Sequence, residues 1–156
     1  MWLSILFQGG KLNIVIDTNI LFNNWLLDGT DLATIFELQN DAELDVHIPE
    51  ICVLELKNLF RRELGKVIKT LKGISSTSIS KQIGLEIPSV DIEKIIKNYE
   101  INLDDRIENN LINIPSYTKI PHDSIVKKAI ERKKPFRDKD RGYRDALIWE
   151  ILKSEI

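Results

Sequence analysis

The run Ile14-Val15-Ile16 followed at once by Asp17-Thr18-Asn19-Ile20-Leu21 constrains this chain more than any other segment. A β-branched apolar run reads as a buried strand. The helical pattern that follows makes the join a strand-to-helix junction, and Asp17 stands on it. In open α/β sheets the crevice outside the carboxyl ends of the strands is where ligands bind. An acid there can also serve simply as the N-cap of the helix, and the two roles are geometrically compatible.

Later segments extend this start into an α/β pattern dominated by helices. Lys11 to Asp17 reads as a strand and Thr18 to Leu27 as a short helix. After the Asp28-Gly29-Thr30 turn, Thr30 is an N-cap candidate for a helix reaching about Leu38. Leu44 to Ile48 reads as a second short strand, and Pro49 suits the first turn of a long helix, where its missing N–H costs nothing. The expected core stripe of that helix is Val53, Leu56, Phe60, Leu64, Val67 and Leu71. Gly73 to Pro88, rich in Ser and Gly, reads as a flexible connection. A second long helix is expected from about Asp91, with the stripe Ile92, Ile95, Tyr99, Leu103 and Leu111. A loop over Asn113 to Pro121, a helix over His122 to Arg132, a basic loop over Lys133 to Gly142 and a helix from Tyr143 complete the chain.

Residues 11–156 read as one domain, long enough to bury a core without disulfides or structural metals. Residues 1–10 read either as an extra strand or as the remainder of an engineered protease site, Leu6-Phe7-Gln8-Gly9, and carry no functional argument. The single cysteine, Cys52, forms no internal disulfide, which suits a reducing cytoplasm, and its apolar helical setting marks it as a small core residue. No apolar run approaches the length of a membrane span. Few strands are recognisable, and the last helix runs into Ile156 without a stop signal. A small sheet with open edges is expected to lack C-terminal strands or to rely on a protein partner or a second copy to cover it.

The net charge of −2 hides a strong alternation along the chain. Residues 28–50 hold seven acids and no Lys or Arg, whereas 55–72 hold six bases against two acids. Residues 86–113 return to seven acids against three bases, and 127–144 hold nine bases against three acids. Such basic stretches are either solvated helix faces or the footprint of a polyanion partner.

Two further acids stand near helix starts. Glu55 lies off its helix's core stripe, with Asn58, Arg62, Lys66 and Lys69 following at helical spacing, so it heads a basic ridge. Asp145 shares a face with Ile148, Trp149 and Leu152, and an acid on an apolar face must be capped, paired or ligated. Carboxylates that converge repel one another unless a cation is present, and Mg²⁺ or Mn²⁺ prefers such oxygen donors. Such a cation can activate water and stabilise the charge that develops in phosphodiester hydrolysis. Sharing one cation requires the three carboxylates to lie within roughly 8 Å of one another.

Three segments, taken in order, resemble the successive signatures of a PIN domain. They are Ile14-Val15-Ile16-Asp17-Thr18-Asn19-Ile20-Leu21, then Ile48-Pro49-Glu50-Ile51-Cys52-Val53-Leu54-Glu55-Leu56-Lys57, and finally Arg141-Gly142-Tyr143-Arg144-Asp145-Ala146-Leu147-Ile148-Trp149-Glu150. The likeness is greatest to a PIN-like subgroup of mostly bacterial proteins. It implies a three-layer α/β/α fold with a small parallel sheet, Mg²⁺ or Mn²⁺ as cofactor, and endoribonuclease activity. It implies metal-binding catalytic roles for Asp17, Glu55 and Asp145, and supporting hydrogen-bond roles for Thr18 and Asn19. The family pattern continues into a strand ending near a further polar site residue, and this chain stops before it.

Arg62, Lys66, Lys133, Lys134, Arg137, Arg141 and Arg144 are the candidates for contacts to a nucleic-acid backbone, RNA or DNA. Phe136 and Tyr143 among the last of these offer stacking surfaces for single-stranded substrate. Other readings stay open: a PIN-like module that holds RNA or protein without cutting, and a toxin-type nuclease held by an antitoxin. His47 and His122 have no carboxylate and nucleophile near them and read as structural or surface residues. No phosphate-binding glycine loop or dinucleotide fingerprint is present.

Overall fold

The computed structural model describes residues 3–8, 11–41, 44–86, 88–136 and 142–155. Its sheet has the order β1-β2-β3, with β1 at Leu3–Gln8, β2 at Lys11–Ile16 and β3 at Leu44–His47. β1 and β2 form an antiparallel hairpin in the register Leu3↔Ile16 to Gln8↔Lys11, so the segment before Lys11 does add a strand. β2 and β3 run parallel, Leu12↔Leu44 to Val15↔His47, which requires a crossover between them. The central strand β2 is therefore paired on both sides. Its Ile14, Val15 and Ile16 are all buried, as an apolar run without alternation predicts.

The crossover contains α1 (Thr18–Leu21) and α2 (Thr30–Asp41). α1 is a single turn, not a helix reaching Leu27. Asn23 and Leu27 both adopt left-handed backbone (φ 69° and 55°), and Leu27 is thereby buried to 3% exposure. Trp25 is held edge-on between Phe22 and Phe60. Core burial and ring packing thus outweigh local helix propensity here, as tertiary contacts commonly do. Thr30 is the first residue of α2 rather than its cap, a one-residue difference.

Beyond β3, α3 (Glu50–Ser75) is 26 residues long, with Pro49 at its N-cap position. α5 (Ile92–Asn109), capped by the Asp91 side chain, lies antiparallel along its first half. Lys57 bonds Asp104 at 2.7 Å, Arg61 bonds Glu100 at 3.2 Å, and between these pairs Phe60 stacks on Tyr99 at 3.7 Å. The expected α3 stripe is buried only at Val53 and Leu56 and partly at Phe60 and Leu64. Val67 and Leu71 are exposed.

On α5 the buried residues are Ile96, Tyr99 and Leu103, so Ile96 belongs to the core face with the predicted Tyr99 and Leu103. The chain turns at Leu111 (φ 52°), which faces solvent at 70% exposure, and Ile112 is buried in its place. Asn113 then pairs with His47 in a parallel bridge, so the predicted loop lines the β3 edge. A short α4 (Ser78–Gln82) occupies part of the Ser- and Gly-rich connection. α6 (His122–Ile130) and α7 (Tyr143–Glu155) follow.

Two clusters of buried side chains hold these elements. The larger joins the sheet to α1, α2, α3 and α5. The smaller joins α6 to α7 through Ile125, Leu147 and Ile151, and Ile51 on α3 packs against both. Each fully buried Leu or Ile contributes about 1.5–3 kcal/mol relative to exposure. Ile51 thereby ties the α6–α7 unit to the helix that carries Glu55. No helix among the described residues is long and apolar enough to cross a membrane.

Candidate active site

Asp17 stands where β2 ends, in extended backbone (φ −86°, ψ 157°), and caps α1. Its Oδ1 accepts the Thr18 N–H at 2.7 Å, and its Oδ2 accepts the Asn19 side-chain amide at 2.8 Å. At 6% exposure it is among the few buried polar residues, and these two donors fix its orientation. The cap role and the crevice position are thus filled by one side chain. The Cys52 thiol lies behind it, 3.8 Å from Oδ1. Burial, offset in part by a hydrogen bond with Thr18 and reinforced by the nearby Asp17 charge, pushes that thiol's pKa up to about 11. Cys52 is therefore a protonated core residue at neutral pH, as its sequence setting suggests.

Glu55, on the second turn of α3, reaches the same place. Its Oε2 accepts the Thr18 hydroxyl at 2.7 Å and Arg144 Nη1 at 2.6 Å. Arg144 comes from the first turn of α7, and its Nη2 lies 3.5 Å from Asp17 Oδ2 and 3.6 Å from Asp145 Oδ1. One guanidinium thus touches all three acids, which come from a strand end and two helices far apart in sequence. Asp17 Oδ2 and Asp145 Oδ1 are separated by less than twice the 3.6 Å that bounds their distances to Nη2. Burial disfavours the Arg144 charge, but Asp17 first, then Glu55 and Asp145, outweigh it and hold its pKa above the ordinary value. Asp145 is not buried on an apolar face. Its side chain is 49% exposed at the mouth of a cleft, and Arg144 supplies the partner that the sequence requires.

That cleft, about 920 Å³, runs from Asp17 and Asp145 between β2 and the Ile148, Trp149 and Leu152 face of α7. Lys128, Lys134 and Lys153 line it, with Phe136 in its wall. Glu150 binds both Lys128 and Lys153, and the hydrogen bond from Lys128 holds its carboxyl below the usual range.

A model of the PIN domain family matches residues 14–156, nearly the whole chain. The chain belongs to that family. PIN domains are generally nucleases that use divalent metals. Neither the comparison with curated proteins nor that with solved structures returned a match.

Within this PIN domain, Asp17, Thr18, Asn19, Glu55 and Asp145 lie together, and Arg144 faces them. Lys134 lines the adjoining cleft. Lys133 is exposed and pairs with Glu131, while Arg62 and Lys66 are exposed on α3 with Glu63 between them. Arg137 and Arg141 lie outside the described residues. Lys128, Lys153 and Trp149 were not singled out from sequence as cleft residues. Helical spacing from Asp145 signals Trp149, one turn on, and Lys153, two turns on; nothing local signals Lys128, which enters through α6–α7 packing.

The three acids form an all-oxygen donor set of the kind hard divalent cations take. As placed, they enclose the guanidinium. Among the described residues no group of three or more His, Cys, Asp or Glu is placed to hold a metal ion. The donor chemistry fits Mg²⁺ or Mn²⁺, and the central position is held by Arg144.

Proposed function

We propose that this PIN domain is a divalent-metal-dependent endoribonuclease. The observation that carries the reading is the meeting of Asp17, Glu55 and Asp145, from three separate elements, around a single cationic group. Asp17, Glu55 and Asp145 are the residues that would hold Mg²⁺ or Mn²⁺, which when bound supplies Lewis-acid activation of water and neutralises charge at phosphorus.

The chain's own groups do the positioning. Thr18 N–H and Asn19 hold Asp17 rigid, and the Thr18 hydroxyl holds Glu55. Lys134, with Lys128 and Lys153, supports phosphates along the cleft, and Trp149 offers a stacking face for an unpaired base. Burial of Asp17 limits water around that acid and strengthens its electrostatic interactions. RNA is the preferred substrate on the family likeness, and single-stranded DNA is the comparison substrate.

Incubation of single-stranded RNA with the protein and Mn²⁺ tests the reading. Cleavage that EDTA abolishes and Asp17→Asn reduces at least about 100-fold is expected, since removing one charged oxygen from a shared cation site is severe. Full cleavage by Asp17→Asn would sink the mechanism. A second reading, a non-catalytic RNA- or protein-binding module, is favoured by one observation: Arg144 occupies the place between the acids where a shared cation would sit. Metal-independent RNA binding without turnover would select it.

A further inference from the structure

We infer that Arg144 is a built-in, displaceable counter-cation: it holds the three carboxylates together in the metal-free protein and must leave them when a divalent cation binds. The inference rests on the metal-binding part of the reading above and goes beyond it by assigning Arg144 a place in metal loading.

Glu55 Oε2 already accepts two short hydrogen bonds, at 2.6 Å from Arg144 and 2.7 Å from Thr18. A divalent cation at a normal oxygen distance of about 2.1 Å from that atom would crowd Nη1 and repel it. The second guanidinium nitrogen is shared between Asp17 and Asp145 at 3.5 and 3.6 Å, too long for strong bonds. The guanidinium is thus firmly held by one acid and loosely by two. One positive charge against three carboxylates also leaves net negative charge at the centre, which favours a dication over the arginine. Arg144 has a way out, because its side chain is 32% exposed. Its planar fork matches a phosphate as well as a carboxylate, so once displaced it is chemically suited to a backbone phosphate.

Calorimetric titration with Mn²⁺ alone, without nucleic acid, tests this on the wild type, Arg144→Gln and Arg144→Lys. Removing a unit charge a few ångströms from a dication site is expected to tighten Mn²⁺ binding roughly tenfold in Arg144→Gln. Arg144→Lys, which keeps the charge but loses the fork, is expected to fall between the two. Metal-free Arg144→Gln is expected to melt below the wild type, with the gap narrowing in saturating Mn²⁺. Unchanged or weaker Mn²⁺ binding by a folded Arg144→Gln, with folding checked by circular dichroism, overturns the inference. Should that variant not fold, unchanged or weaker binding by Arg144→Lys overturns it equally.

Failure of the nuclease reading has a different signature. Absent RNA cleavage beside a tightened Mn²⁺ affinity leaves Arg144's role standing. No Mn²⁺ binding by any of the three proteins overturns both.

Discussion

Arg144 Nη1 lies 2.6 Å from Glu55 Oε2, across 89 residues of sequence, and this contact ties the first turn of α7 to the second turn of α3. The same oxygen accepts the hydroxyl of Thr18, so the strand end, α3 and α7 meet at one atom. The candidate site is therefore also a structural joint between elements that are otherwise linked through Ile51 on α3 and Ile148 on α7.

Thr18→Val tests the smaller part of that joint. Thr18 is 3% exposed, and valine fills nearly the same space without the hydroxyl. A hydrogen bond to a carboxylate is worth about 1.5–3 kcal/mol, and partial exposure of Glu55 lowers that to about 1–2 kcal/mol. Urea unfolding is expected to show a loss of that size, with RNA cleavage several-fold slower as Glu55 gains freedom. Wild-type stability in the variant would mean that the bond contributes nothing net.

Gly142→Ala is expected to disturb the site from two residues away. Gly142 has φ 115°, where an L side chain is strained, and a Cβ there would come within 2.5 Å of the Pro135 carbonyl oxygen. The obstacle is backbone, so either the 134–136 turn or the start of α7 must move. Strain of this kind costs about 1–3 kcal/mol. Thermal melting is expected to fall accordingly, and Mn²⁺-dependent cleavage to fall further than stability alone explains, because α7 carries Arg144 and Asp145.

Tyr99→Phe is expected to be neutral or to stabilise by up to about 1 kcal/mol. The Tyr99 hydroxyl is buried and has no hydrogen-bond partner among the described residues, so removing it relieves a desolvation cost. The stack on Phe60 is retained. Phe60→Ala removes that stack and the edge contact with Trp25, and is expected to cost about 3 kcal/mol. Denaturant titration of the two variants compares them directly.

Stability is expected to fall on both sides of neutral pH, with assignable groups. Burial raises the Cys52 pKa from 9.0 to about 11 and raises that of Tyr99 as well. The folded state holds both groups neutral, so their contribution is complete below the unfolded pKa values. It is lost as pH rises above about 9, when the unfolded chain ionises first. Cys52→Ala is expected to flatten the part between about pH 9 and 11. At neutral pH thiol reagents are expected to label Cys52 only as fast as the protein opens.

On the acid side, burial lowers the His47 pKa, opposed by Asp45, and its Nε2 pairs with Asn13 at 2.9 Å. The neutral ring is favoured in the fold, so its contribution is present above pH 6.5 and declines as pH falls through the folded value. His47→Gln is expected to reduce that decline in a pH series of urea unfolding midpoints.

Local patterning by itself determined β2, β3 and the two long helices, because strand and helix periods and cap preferences are short-range, whereas the three acids were marked by their resemblance to the family's segments. Tertiary structure decided where those patterns stop counting. α1 ends early because Trp25 and Leu27 pack elsewhere, and the α3 stripe is exposed at Val67 and Leu71 although its period continues. It also decided what Arg144 does. In sequence Arg144 is one more base beside an acid, suited to phosphate. Only the position of α7 beside α3, across the cleft from β2, turns its guanidinium inward, because three carboxylates brought together from distant elements draw the nearest cation into their midst.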